Sequence, residues 1–321
     1  MILPFACTPV SLATISGIAV VGFMGLTVAA ATQYKAERVV LDNGVTVLLL
    51  PMPEADQVAI ETIYNVGFVH EPKGMTQAAH LLEHLACNAA TGNYKANEAM
   101  NLLNQLGMAN AETLPSWTHY DYVLPANKLE LALEIEAERL TSLKIDREIV
   151  RVEALRCYQE TDFVERNPAS GMTKHAFMAL NQAWRHGMTS ALVRGGLEDF
   201  SIEELENFHR AFYRPDNLTV VIIGGFNRDQ AFELLEEHLG DVRPPKQSRL
   251  AAIDWSRIPN RTTVRWDAKV RAVCLAFPPP SNRRDQIALS LLGAALTQEL
   301  MKDPQINDVA NTVTCTNHLW S

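Results

Sequence analysis

Five residues constrain this chain more than any others: His80-Leu81-Leu82-Glu83-His84, set inside the apolar run Ala78 to Cys87. On a helix each residue advances by about 100°, which puts His84 at about +40° and Glu83 at about −60° from His80, all on one arc. Imidazoles four residues apart can reach one Zn²⁺ at about 2.0–2.1 Å, and a carboxylate beside them can move the protons of a bound water. The competing reading is a buried helix with two satisfied core histidines. A lone histidine would favour it. Two histidines and a glutamate in this register, on a helix too hydrophobic to be a solvated face, favour the metal.

The chain has 321 residues, enough for one large or two medium domains, and 47% of them are hydrophobic. A net charge of −9 argues against nucleic acid as a partner. Pro9 to Ala31 carries no charge, and Ala29-Ala30-Ala31-Thr32 has the small residues of a cleavage site. No Lys or Arg precedes this run. Residues 1–31 are therefore expected to be a signal peptide or a retained membrane anchor through residues 9–31, and the chain is expected to be exported: periplasmic, secreted or membrane-anchored. Among the five cysteines none is spaced C-x-x-C. Cys87 and Cys157 fall on the two helices assigned below to the metal, where a bridge is conceivable and buried free thiols are expected.

Val39–Leu50 reads as two strands around Asn43-Gly44, a type I′ hairpin signal. Gln57–Val69 is a further strand. Thr76 is placed to cap the helix carrying His80–His84, and Gly92 to end it. A short helix over Ala96–Leu106 precedes extended segments with Tyr120, Tyr122 and Leu124 at strand spacing, then a helix over Asn127–Leu140 whose acidic residues mostly face water. On the next helix, Asp146–Glu160, Glu153 sits within the apolar arc of Ile149, Val150 and Cys157. A carboxylate there is costly to bury unless paired with an arginine or bound to a metal. Asp146 and Glu160, seven residues to either side, share its face and are candidates for supporting the site. Ser201-Ile202-Glu203-Glu204 is a capping box opening a helix to Phe212. Leu218–Ile223 is a buried strand, Arg228–Leu239 an amphipathic helix and Pro244–Ser248 a linker. Strands over Thr262–Trp266 and Ala272–Phe277 and a helix over Asp285–Met301 follow.

In this order the chain resembles the pitrilysin/insulinase/mitochondrial-processing-peptidase group of zinc metallopeptidases, the inverted H-x-x-E-H class. The resemblance runs over roughly residues 37–241. It is carried by Leu41–Gly44, His80–His84, Asn110-Ala111-Glu112-Thr113 with Tyr120, Leu124–Arg139, Asp146–Glu153 and Phe208–Asn217. It implies an α+β fold, an antiparallel sheet covered by helices (the metalloprotease α/β roll), with an incomplete second domain of similar type. The expected divisions are a catalytic domain at 36–243, a linker at 244–260 and a truncated second half at 261–321.

The resemblance further implies one Zn²⁺ per chain, held by His80, His84 and Glu153, with Glu83 as general base toward the metal-bound water. Asp146 would support the site and Asn110 would hold the substrate backbone. The implied reaction is endopeptidase or oligopeptidase hydrolysis of a peptide or unfolded polypeptide. Two departures stand out. Only 68 residues lie between His84 and Glu153, fewer than relatives usually have, which a local deletion before the ligand helix would explain. The part after the linker is too short for a full closing half, and no tyrosine follows Tyr213. The expectation is then a partner chain that supplies the second half-domain or, as the alternative, a non-catalytic subunit or assembly partner that keeps the peptidase fold.

Overall fold

A computed structural model describes residues 35–72, 74–114, 116–166, 196–243 and 283–307. The chain divides into two compact units, 1–33 and 34–321. The expected leader, the linker and the strands at 262–266 and 272–277 lie outside the described residues. No helix among the described residues is long and apolar enough to cross a membrane.

The described part is built on one six-stranded sheet in the order β1-β2-β6-β3-β5-β4. Its strands are β1 (Glu37–Val40), β2 (Thr46–Pro51), β3 (Gln57–Tyr64), β4 (Met108–Thr113), β5 (Thr118–Pro125) and β6 (Leu218–Gly224). Every pairing is antiparallel except β2 with β6. The α-helices of the described residues are α1 (Ala78–Asn88), α2 (Glu98–Leu106), α3 (Leu129–Thr141), α4 (Arg147–Arg166), α5 (Ile202–Phe212), α6 (Arg228–Leu235), α7 (Arg283–Leu300) and the short α8 (Pro304–Asn307).

Alternation fixes which side of the sheet is covered. Val58, Ile60, Thr62 and Tyr64 of β3 are buried, as are Thr118, Tyr120, Tyr122 and Leu124 of β5. Their neighbours in sequence, such as Glu61, His119 and Asp121, lie on the opposite, wetter face. Against the covered face lies the helical layer. Helix α1 is apolar on nearly all sides, and nine of its eleven residues are buried, as expected of a helix with protein all round it.

Several local expectations change. The hairpin at Asn43-Gly44 is not type I′, because Asn43 does not have positive φ and Gly44 does, at 100°. The Gly44 N–H donates to the Leu41 carbonyl and the Leu41 N–H to the Val45 carbonyl. This is a three-residue loop with glycine at the left-handed bulge position. Asn43 turns inward instead, and its amide donates to the carbonyls of Leu239 and Val242. At the start of α1 the capping group is Glu71 rather than Thr76. The Glu71 carboxylate accepts from the backbone N–H groups of Gln77 and Ala79 at 2.9 and 3.1 Å, and a negative charge there also suits the helix dipole. Helix α1 ends at Asn88, short of Gly92.

Helix α3 also departs from expectation. Glu136 is fully buried and Arg139 is 2% exposed. The Glu136 carboxylate accepts from Thr62, from Tyr64 and, at 2.5 Å, from Arg139. Arg139 continues to the Tyr122 hydroxyl and to the Ala86 carbonyl of α1. A buried ion pair survives only when its remaining hydrogen-bonding positions are filled, and here β3, β5 and α1 fill them.

Candidate metal centre

Helices α1 and α4 pack against each other and carry the polar groups of the site between them. His84 and Glu83 are buried at 9% and 7% exposure, and the His80 side chain is 15% exposed. The Nε2 atoms of both histidines converge on one oxygen. Glu160 Oε2 of α4 lies 3.2 Å from His80 Nε2 and 3.4 Å from His84 Nε2. A tetrahedral ion with bonds of about 2.0–2.1 Å holds neighbouring donor atoms about 3.3 Å apart. The carboxylate oxygen therefore already stands about as far from each imidazole nitrogen as zinc requires, and two imidazoles with a carboxylate are a donor set zinc accepts.

Glu153 is brought to the same pair of helices, but to the far side of the ring. Its Oε2 lies 3.1 Å from His84 Nδ1 and accepts from Asn88 Nδ2 at 3.1 Å, while Oε1 accepts from Arg156 at 2.7 Å. A carboxylate on this side makes Nδ1 the nitrogen that His84 turns to Glu153, and Nε2 is the nitrogen that faces Glu160. The isolated glutamate of the apolar arc is thus a paired one. Asp146 sits apart from the histidines: it is exposed, and its Oδ1 accepts from the N–H groups of Glu148 and Ile149 as the cap of α4. Asn110 is exposed on β4, the strand at the end of the sheet.

Glu83 has a partner that sequence reasoning missed. Thr113, the last residue of β4, donates from Oγ1 to Glu83 Oε2 at 2.7 Å. Thr113 is buried and lies within the Asn110–Thr113 segment already singled out, so the segment was the signal, though not the role. Cys157 was expected as a buried free thiol or as half of a bridge to Cys87. It is buried, unbridged, and grouped with His80 and His84 within 4.8 Å.

The electrostatics suit a cation. Burial works against protonating His80, yet hydrogen bonds to Cys157 and Glu160 and the nearby Glu83 push its pKa up to about 9. His84 is raised further against the same burial, by Cys157, Glu153 and Glu160. Hydrogen bonds from His80 and His84 hold Glu160 well below the usual carboxylate range. Histidines that hold protons so firmly report a negative potential from the surrounding acidic groups, which a dication placed between them would also exploit.

Residues 46–193 match the family described as insulinase (peptidase family M16), and residues 199–317 match its companion, the peptidase M16 inactive domain. The zinc protease PqqE of Helicobacter pylori is 25% identical over 272 residues, covering 82% of this chain and 61% of that protein. A probable zinc protease PqqL of Haemophilus influenzae is 27% identical, covering 67% of this chain and 24% of its own length. The chain thus spans about three-fifths or less of these curated relatives. Among solved structures, the periplasmic protease PqqL from Escherichia coli superposes with a TM-score of 0.65 at 18% identity, covering 89% of this chain and 34% of that one. A protease from Helicobacter pylori gives 0.60 at 24% identity, with 69% and 54% covered. With consecutive matches to the two M16 domains along most of its length, on a helix-covered sheet shared with M16 protease structures, the chain belongs to the insulinase family of peptidases, M16.

Proposed function

We propose that this chain is a zinc-dependent endopeptidase or oligopeptidase whose metal ligands are His80, His84 and Glu160, with Glu83 as general base. The observation that carries the reading is the single Glu160 oxygen at 3.2 and 3.4 Å from the Nε2 atoms of both histidines. Glu153 moves from ligand to orienting carboxylate, because its oxygens are spent on His84 Nδ1, Asn88 and Arg156. The assignment also removes the spacing anomaly: 75 residues lie between His84 and Glu160, so no local deletion is needed.

When bound, zinc supplies a Lewis acid for the scissile carbonyl and lowers the pKa of water toward about 7. Glu83 accepts the proton of the attacking water and returns one to the leaving amine. Thr113 holds the Glu83 carboxylate in place through Oγ1, and Glu153 holds the His84 ring in the tautomer that leaves Nε2 unprotonated. Strand β4 pairs only with β5 among the described strands, and Asn110 and Glu112 on it are exposed. An extended peptide can add along such an edge through main-chain hydrogen bonds. Asn110 would meet its backbone, three residues before the threonine that touches the general base.

The relatives that are periplasmic proteases support export of this chain as well. The divisions at 36–243, 244–260 and 261–321 belong to the same proposal, supported by β6, which lies inside the main sheet although it falls in the second matched segment. A second reading has its own motive: the chain spans 61% of its Helicobacter relative and its later segment matches a domain described as inactive. On that reading the second half-domain comes from a partner chain, or the chain is a non-catalytic subunit. Cleavage of an unstructured peptide by the purified chain, abolished by a chelator and restored by zinc, separates these readings.

Two carboxylate variants test the ligand assignment. Glu160→Gln is expected to lose bound zinc, whereas Glu153→Gln should keep it with an affinity about 10–100-fold weaker. Zinc content and competition with a chelating dye measure both, and the reverse ranking would return the ligand role to Glu153. Glu83→Gln should retain zinc and lose turnover; near-normal hydrolysis by that variant would remove Glu83 from its role.

A further inference from the structure

The α1–α4 contact holds one group that neither the ligand set nor the base uses. The Cys157 thiol is fully buried and unbridged, and its sulfur, one ring nitrogen of His80 and one of His84 lie within 4.8 Å of one another. Three features fix which side of the rings it shares. The Nδ1 atoms are engaged elsewhere, with Gln77 Oε1 at 3.4 Å from His80 and Glu153 at 3.1 Å from His84. The nitrogens left to face α4 are the Nε2 pair that Glu160 already spans. Cys157 stands three residues before Glu160 and four after Glu153, so all three occupy one face of α4, and that face looks onto α1.

We propose that Cys157 Sγ is a fourth protein donor to the metal held by His80, His84 and Glu160, an inference that rests on the ligand reading above. Thiolate sulfur binds zinc at about 2.3 Å, and a tetrahedral ion then sets nitrogen and sulfur about 3.6 Å apart. Drawing the group inward by up to about 1.2 Å from the 4.8 Å bound meets that geometry. Metal binding takes the thiol proton, because the thiolate is the ligand form. The consequence concerns access. Three protein ligands and an open position mark a catalytic zinc site, and four mark a closed one. Sulfur and water therefore compete for one coordination position, and the resting site keeps the metal behind a buried thiolate. The bland alternative for Cys157 is a small apolar side chain filling the helix contact, which predicts no sulfur on the metal.

X-ray absorption at the zinc edge of the full chain, loaded with one equivalent of zinc and free of substrate, decides between them. The expected spectrum contains one sulfur scatterer at about 2.3 Å beside nitrogen and oxygen at about 2.0–2.1 Å. The sulfur shell should vanish in Cys157→Ser and in Cys157→Ala and persist in Cys87→Ser, with circular dichroism checking that each variant is folded. Cobalt substitution gives a second readout. A near-ultraviolet sulfur-to-cobalt band should appear in the natural chain and disappear in both Cys157 variants, while the visible bands of the remaining ligands persist. A natural chain whose zinc shows only nitrogen and oxygen overturns the sulfur donor and leaves the three-ligand site standing. Sulfur that survives in the Cys157 variants also overturns it. A chain that takes up no metal overturns both readings.

Discussion

Thr113 shows how little chemistry would be needed to position Glu83 as the proposed general base. Glu83 is 7% exposed, and the hydroxyl of Thr113 reaches one of its oxygens at 2.7 Å. A hydrogen bond to a charged group contributes about 1.5–3 kcal/mol, so its loss is expected to lower kcat by about 10-fold or more. Thr113→Val should show that loss with zinc content unchanged, and Thr113→Ser should recover most of it; equal activity in all three would leave the hydroxyl without a role. The residues of the site were unevenly legible in the sequence. His80, Glu83 and His84 declare themselves because their spacing on one helix is itself the geometry. From the sequence Glu153 stood as the ligand and Glu160 as a supporting group, since both fall on one face of α4 and Glu153 lies amid its apolar arc. What separates them is which ring nitrogen each oxygen meets, and that depends on how α1 and α4 pack. Thr113 comes from another element altogether, and no periodicity links it to Glu83.

Between elements, the polar interior does work that an apolar count would miss. Glu136 and Arg139 join α3 to β3, β5 and the Ala86 carbonyl of α1, two residues beyond His84. Truncating one partner of such a pair leaves a buried charge unmatched at about 3–5 kcal/mol. Arg139→Met is expected to lower stability by that amount in urea unfolding, and adding Glu136→Gln should recover part of it. A loss near zero for Arg139→Met would show that the pair is not buried as described. On the wetter face of the sheet, His119 of β5 is flanked by Glu61 at 3.3 Å, Glu112 at 3.6 Å and Asp121 at 3.6 Å. Hydrogen bonding to Glu112, with Glu61 and Asp121 nearby, raises its pKa despite partial burial. A folded pKa above the unfolded value of about 6.5 means stabilisation that is full below that pH and fades as pH rises through the folded value. His119→Gln should therefore lower the melting temperature more at pH 6 than at pH 9, and a gap that widens with rising pH would contradict this. Elements were the most legible level: strand alternation in β5, the apolar run of β6 and the capping box of α5 are local signals. The failures came where distant groups intervened, with Glu71 taking over the cap of α1 and β3, β5 and α1 receiving the charges of α3.

For the molecule as a whole, a metal at this site would tie α1 to α4 and add its binding energy to folding. Stabilisation by a ligand specific to the folded state reaches about 4 kcal/mol when free ligand exceeds Kd about 1,000-fold. For a chain of 321 residues, with about 2.1 cal/mol/K of unfolding entropy per residue, that corresponds to a rise in Tm of about 6 °C. Zinc should raise the Tm of the natural chain on that scale and leave His84→Ala nearly unmoved; an equal rise in both would place the ion elsewhere. The order of strands has a different consequence. Strands β2 and β3 follow one another in sequence but never pair, because β6 lies between them, matching Thr46 with Thr219 and Tyr64 with Leu218. During synthesis both strands therefore wait with open edges while the helices that carry His84 and Glu160 are already made. Such edges attract other chains, and pairings this distant in sequence close slowly. Until residue 224 leaves the ribosome the sheet has no centre, and a molecule cut short before Leu218 would hold every residue of the proposed metal site on a sheet left in two unjoined pieces, β1-β2 and β3-β5-β4.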